Sequence, residues 1–350
     1  MKILRKVSVA LLVLAFLLLY AARSVSGFAE WYTAHVYRIL SGVIGRISGV
    51  FPFSVVEFLL YGSLIVILVV LTRLVLQRKS LTGLIHALVF YVSLLLFLYA
   101  SCCGVNYYRI PFSSYYFSTL ERMNAEDVVN ADELKLLCEW LTDSLDGAAA
   151  ELEQDPDAWK DLGSKGRHVM QALGKKQPVL DVFYPQAKPV TCSVILSIQQ
   201  LAGVYSPFTV EANYNRDMVS YNLPHTICHE LSHLSGFMRE DEANFIGYLA
   251  CIGSEDEDFR YSGYLLGWIY AGNALAKQDY QTYVDLYMRL PARVKSDLEA
   301  NSRFWDKYEG KVAEASTKMN DTYLKVNGQS EGVKTYGRVV DLMLWEFCER

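Results

Sequence analysis

The first 105 residues hold almost no acid: Glu30 and Glu57 stand against nine Lys and Arg, a net of +7. The remainder carries 24 Lys and Arg and 36 Asp and Glu, a net of −12, so the 350-residue chain reads as two units in different surroundings. The acidic part lacks the concentrated basic face that phosphates require, which excludes nucleic acid as a partner. The seven cysteines (Cys102, Cys103, Cys138, Cys192, Cys228, Cys251, Cys348) form no Cys-x-x-Cys pair, and an odd number cannot all pair within one chain. There is no phosphate loop, no serine-nucleophile motif, no internal repeat and no low-complexity tract. Histidine is scarce as well, with six in the chain and none after His233.

What the first part does hold is long apolar runs. A hydrocarbon core takes about 20 residues of helix, and spans are expected near 7–22, 55–76 and 83–105. The first run, behind Lys2, Arg5 and Lys6, has the outline of a cleaved signal, but two further runs favour an uncleaved anchor. Placing Lys2, Arg5 and Lys6, and then Arg73, Arg78 and Lys79, on the cytoplasmic side makes the N-terminus cytoplasmic and residues 106–350 extracytoplasmic in a three-span protein of the cell membrane. Residues 28–51 place Val36, Ile39, Leu40, Val43, Ile44, Ile47 and Val50 at helical spacing, which suits either a helix lying in the interface or a connector packed on the spans. Glu57, Arg73 and His86, near span ends, read as interfacial residues that reach water.

After a Tyr- and Phe-rich linker over 106–118, Asn130 is positioned to cap a helix through Leu152, followed by a break at Asp155, Pro156 and Asp157 and a short helix near 164–173. Strict alternation over Phe208–Asn215 predicts a half-buried strand ahead of the metal-ligand motif, with Glu211 or Asn213 able to line a substrate cleft. Beyond Arg260 the pattern predicts helices at 262–276, 279–289, 292–308, 311–326 and 333–348, the fourth ending at Asn327 and Gly328.

The chemistry concentrates in His229-Glu230-Leu231-Ser232-His233. Two histidines four residues apart lie one turn apart on a helix face and reach one metal ion, while the glutamate after the first stands beside an open coordination position. Zinc lowers the pKa of its water to about 7, and Glu230 is then the general base. Asn222 as cap, Pro224 in the first turn and Ile227, Leu231 and Leu234 on the opposite stripe put the motif on a helix. A third ligand must follow. Gly236 permits a turn, after which Glu240, Ala243, Asn244, Gly247 and Cys251 share one helix face, and Glu242 sits about 200° away with Phe245, Ile246 and Leu249. Glu240 is therefore the expected ligand, with Ala243 and Gly247 allowing close helix approach and Asn244 holding an imidazole by its other nitrogen. His225, one turn before His229, reads either as an exposed first-turn residue or as a group that touches substrate or orients water. For the donor to a developing oxyanion the nearest choices are Tyr261, Tyr264 and Arg260.

His-Glu-x-x-His followed by Glu-x-x-Ala-Asn resembles the gluzincin branch of the zincin peptidases. That resemblance implies His229, His233 and Glu240 as ligands of one Zn²⁺, Glu230 as base and Asn244 as the residue holding a ligand imidazole. Asn stands where that branch usually has Asp, and only six residues separate His233 from Glu240. The glycine position is metzincin-like, but the third metzincin ligand would fall on Arg239, which never deprotonates. The longer run Ser206-Pro-Phe-Thr-Val-Glu-Ala-Asn, then His229–Cys251, then Phe259-Arg-Tyr-Ser-Gly-Tyr also resembles a bacterial three-span membrane family catalogued as a domain of unknown function.

The resulting expectation is a mostly helical α+β chain: a membrane domain over 1–105 and a zincin-like domain with a small sheet over 106–350. It would hydrolyse peptide bonds in a peptide or protein near the bilayer surface, cell-wall peptides being a second substrate class. The alternative is a catalytically degenerate zincin serving as a membrane scaffold or receptor. An intact Glu230 argues for the enzyme, because a structural zinc site has no use for a base.

Overall fold

The structure, a computed structural model, describes residues 2–77, 82–117, 131–152, 154–155, 157–327, 329 and 338–350. Arg78, Lys79, residue 118, Asn130, Pro156, Gly328 and residues 333–337 lie outside these. The N-terminal elements are α1 (Lys2–Ser24), α2 (Phe28–Tyr32), a π turn (Thr33–Tyr37), α3 (Arg38–Gly49), α4 (Val55–Gln77) and α5 (Thr82–Cys102), then a 3₁₀ turn (Gly104–Tyr108) and α6 (Ser113–Tyr116). Three helices are long and apolar enough to cross a membrane, over Lys2–Ser24, Val55–Leu76 and Thr82–Tyr108. α1 packs along α5, whereas α4 keeps nearly all its apolar surface free of protein.

Then follow α7 (Ala131–Leu152), α8 (Leu162–Lys176), β1 (Lys188–Pro189), α9 (Val194–Ile198), β2 (Gly203–Ser206), β3 (Glu211–Tyr214), α10 (Asn222–Leu234), α11 (Glu240–Ile252) and α12 (Glu257–Gln278). The chain closes with α13 (Tyr280–Arg289), α14 (Ala292–Asp306), α15 (Lys311–Val326) and α16 (Arg338–Glu349). The core is the stack α7, α12, α11, α10, in which each helix packs on the next and buries an apolar stripe such as Leu134, Leu137, Leu141 and Leu145 of α7.

The amphipathic segment 28–51 takes an arrangement that its periodicity alone leaves open. In α3 the small face of Ser41, Gly42, Gly45 and Ser48 is buried, and Ile39, Val43, Ile47 and Val50 are exposed. Arg46 stacks on the Phe183 ring at 4.1 Å, and Tyr37 donates to the Leu234 carbonyl at 2.8 Å. The segment thus packs on the C-terminal end of α10 with one side and presents its apolar stripe with the other.

The sheet corrects the strand reading. Its order is β1-β3-β2, with β1 parallel and β2 antiparallel to β3. The strand is shorter than Phe208–Asn215, because residues 207–210 turn and Val210 takes φ +51°. β3 is paired on both edges, and Glu211, Ala212 and Asn213, which alternate between its two faces, are all buried. Glu211 accepts from the backbone N–H groups of Val55 and Val56 at 3.0 and 2.9 Å and pairs with Lys188. It caps the start of α4, where the helix dipole and unpaired N–H groups favour an anion. Glu57 is likewise tied down, accepting from the N–H groups of Thr191 and Cys192 at 2.8 and 2.9 Å. Carboxylates from both sides therefore lock α4 to β3 and to the segment that follows β1.

Candidate metal centre

The α10 helix places His229 and His233 one turn apart, and its end is shaped by Gly236, whose φ of +95° lets the chain reverse into α11. Tyr221 rather than Asn222 occupies the N-cap position, and the Asn222 amide donates instead to Asn301 Oδ1 at 2.7 Å. α11 begins at Glu240, and Gly247 brings its backbone so close that a Cβ there would sit 3.3 Å from both His225 Nε2 and the His229 nitrogen.

The two Nε2 atoms lie 3.1 Å apart, with Glu240 Oε2 3.3 Å from His229 Nε2 and Oε1 3.7 Å from His233 Nε2. Among the described residues this is the one His/Cys/Asp/Glu group whose ligand atoms all fall within 4.8 Å of one another. Ligands about 2.0–2.1 Å from zinc at a tetrahedral angle stand about 3.4 Å apart, so the three spacings fit such an ion. The outer nitrogens are also set. His229 Nδ1 lies 2.8 Å from Asn244 Oδ1 and His233 Nδ1 lies 2.8 Å from the Phe237 carbonyl. Both partners are acceptors, so each Nδ1 carries a hydrogen and each Nε2 points inward. Glu242 is elsewhere, accepting from Ser113 N and Oγ at 2.8 Å each.

Without a metal the electrostatics are strained. Burial pulls His229 down, but the Glu240 carboxylate outweighs it and lifts this imidazole to about 9. His233 is pushed down to about 4 by burial and by the charge of His229. Burial raises Glu230 to about 8 in spite of a hydrogen bond from the Tyr205 backbone. A cation among these groups reverses that balance, deprotonating the imidazoles and favouring the carboxylates.

The cluster opens into a cavity of about 580 Å³. β2 forms one wall through Gly203, Val204 and Tyr205; α12 contributes Tyr270, α14 Asn301 and Trp305, and α15 Asn320 and Tyr323, with Tyr107 closing the side toward α5. His229, Glu230, His233, Glu240, Asn244 and His225 all face this space.

Several expected residues do not. Tyr261 donates to Asp297 Oδ2 at 2.6 Å, Tyr264 packs edge-on against Trp140, and Arg260 pairs with Glu151 at 2.6 Å. The rotation of α12 turns all three away from His229 and His233 of α10. The tyrosine that lines the cavity is Tyr270, 3.4 Å from Asn244 Oδ1. Its stripe with Ser262, Leu266 and Ile269 has helical spacing, a signal that points to it once Ser262 is known to receive the His225 N–H at 3.1 Å. Glu211 and Asn213 do not line the cavity either; the edge strand that does is β2. His225 is neither exposed nor free. It is buried, held neutral at about 3 by burial, and within 3.2 Å of the Asn244 carbonyl, so it braces α11 against α10.

Residues 32–344 match the profile of a family described as Protein of unknown function (DUF3810). The chain belongs to this family. No curated protein and no solved structure matches it. Within this DUF3810 chain the match takes in the second and third apolar helices, the sheet and the whole of the cluster.

Proposed function

We propose that the protein is a membrane-anchored zinc metallopeptidase in which His229, His233 and Glu240 hold one Zn²⁺ and Glu230 is the general base. The observation that carries this reading is the union of three ligand atoms at zinc-compatible spacing with a second, non-ligating carboxylate, Glu230, in one cavity. A zinc ion held there supplies Lewis acidity that acidifies water and polarises a carbonyl. Glu230, fixed by the Tyr205 N–H, takes the proton of the attacking water and delivers it to the leaving amine. The Tyr270 hydroxyl is the donor best placed for a developing oxyanion, and the edge of β2 away from β3, on the cavity wall, offers backbone groups beyond the Tyr205 N–H that align an extended peptide. Asn244 holds His229, and His225 holds the Asn244 carbonyl, so both position ligands rather than touch substrate.

The basic N-terminus favours the cytoplasm, which puts the site outside, and the packing of the π turn before α3 on α10 agrees with both lying on one side. The test is to purify the full chain in detergent, because Glu57 and Glu211 tie the apolar helices to the sheet, and to measure zinc and peptide cleavage in Glu240→Ala and Glu242→Ala. Zinc and cleavage are expected to be lost in the first and zinc to be retained in the second; the reverse pattern removes Glu240 from the site.

A further inference from the structure

The cavity sits against the end of an apolar helix. A hydrocarbon core takes about 20 residues, and α5 with the 3₁₀ turn after it runs from Thr82 to Tyr108, so the end of α5 and that turn stand in the headgroup layer. Those turns touch the cluster's surroundings directly. Tyr107 lines the cavity, and Cys103 Sγ lies 3.7 Å from Met238 Sδ, two residues before Glu240.

α15 is the other wall on this side, and it is bound to the same turns. Tyr99 donates to Asn327 Oδ1 at 2.6 Å, the Tyr323 hydroxyl lies 3.4 Å from Cys103 Sγ, and the Tyr323 ring stands 6.3 and 6.0 Å from those of Tyr99 and Tyr107. The C-terminal end of α15 is thereby held at the level of Tyr99, below the top of α5. Val312, Met319 and Val326 repeat every seven residues and are 55%, 70% and 76% exposed. At about 100° per residue they fall roughly 20–60° to one side of Tyr323, the residue that touches Tyr99 of α5, while cavity-lining Asn320 falls about 60° to the other side. Lys311, Lys318 and Lys325 border the apolar stripe, and Glu314 stands opposite Tyr323. An apolar stripe edged by lysines beside a membrane helix is the pattern of a helix lying in a lipid surface.

We propose that α15 lies half-immersed in the lipid surface next to α5, and that the cavity it walls takes a polypeptide tethered to the same membrane. The substrate class rests on the hydrolase reading above; the placement of α15 does not. A cleft at headgroup level reaches bonds only a few residues from an anchor.

Two measurements on the full chain in phosphatidylcholine and phosphatidylglycerol vesicles test this. In a Cys192→Ser, Cys348→Ser background, Met319→Cys, Val326→Cys and Glu314→Cys each receive an environment-sensitive NBD dye. Dyes at 319 and 326 are expected to shift to the blue and be quenched by headgroup-level nitroxide lipids, and the dye at 314 is not; equal quenching at 314, or none at 319 and 326, overturns the placement. A cleavable peptide is then coupled to lipid with its scissile bond about five or about twenty-five residues from the anchor. Both are expected to be cut within about twofold of each other and on the order of a hundredfold faster than the free peptide. Cleavage confined to the long tether, or equal cleavage of free and tethered peptide, overturns the substrate class with hydrolysis intact. Absence of any Glu230-dependent cleavage alongside quenching at 319 and 326 overturns the hydrolase reading and the substrate class together, and leaves the helix placement standing.

Discussion

Asn244 is where the geometry makes its most discriminating prediction. Its side-chain oxygen is the acceptor for His229 Nδ1 at 2.8 Å, and its backbone carbonyl accepts from His225. Asn244→Ala removes the first bond and leaves the second, so α11 stays braced while a buried imidazole N–H loses its partner. Removing the outer partner of a metal-bound histidine costs 10–100-fold in metal affinity, about 1.4–2.7 kcal/mol. Asn244→Asp tests the same contact in the opposite direction: a carboxylate at this position orients the ring equally well and makes it more basic, so affinity stays at or above wild type. Competition with a chromophoric chelator on the detergent-solubilised full chain reads both. Equal zinc affinity in wild type and Asn244→Ala, or a loss as large in Asn244→Asp, refutes the reasoning.

Three further outcomes follow from the same geometry. In the metal-free protein His229 is raised to about 9 by Glu240, so the pair's stabilisation is present below the ordinary histidine value and fades as pH rises through about 9. Zinc affinity runs the other way, rising with pH until about 9, and calorimetry in buffers of different ionisation enthalpy should count about two protons released at pH 7, one from His229 and one from Glu230, itself raised to about 8. Gly203→Ala should keep zinc but lower kcat by on the order of 10²-fold, since the added Cβ would fall 2.6 Å from Glu230 Oε1 and displace the base; unchanged kcat contradicts the assigned base geometry. Glu211→Ala should cost roughly 3–5 kcal/mol of unfolding free energy by stranding buried Lys188, with zinc affinity per folded molecule unchanged; a selective loss of zinc at full stability restores Glu211 to the cleft.

The parts of the site legible in the sequence are those governed by one helix's periodicity. His229 and His233 share a face because four residues make a turn, and the 200° between Glu240 and Glu242 sends one to the cluster and the other to Ser113. The three apolar helices were readable for a similar reason, since length and composition alone decide whether a helix can span. What was not legible depends on how elements meet. Alternation in Glu211–Tyr214 indicates a strand but not that another strand lies on each side, so it leaves open whether the polar face lines a cleft or is plain sheet; in the fold Glu211 caps α4. Nothing local gives the rotation of α12 that turns Tyr261 toward Asp297 and Tyr270 toward Asn244. The burial of His225 needs the crossing of three helices, which a first-turn position does not announce.

The account's central claim is that Glu230 moves protons for hydrolysis at a metal held by its neighbours. The direct measurement is peptide-library cleavage by the full chain and by Glu230→Gln, each loaded to the same zinc content. The account predicts cleavage by wild type and a loss on the order of 10²–10⁴-fold in the variant at equal zinc. Equal cleavage by the two, or none by zinc-loaded wild type, contradicts it.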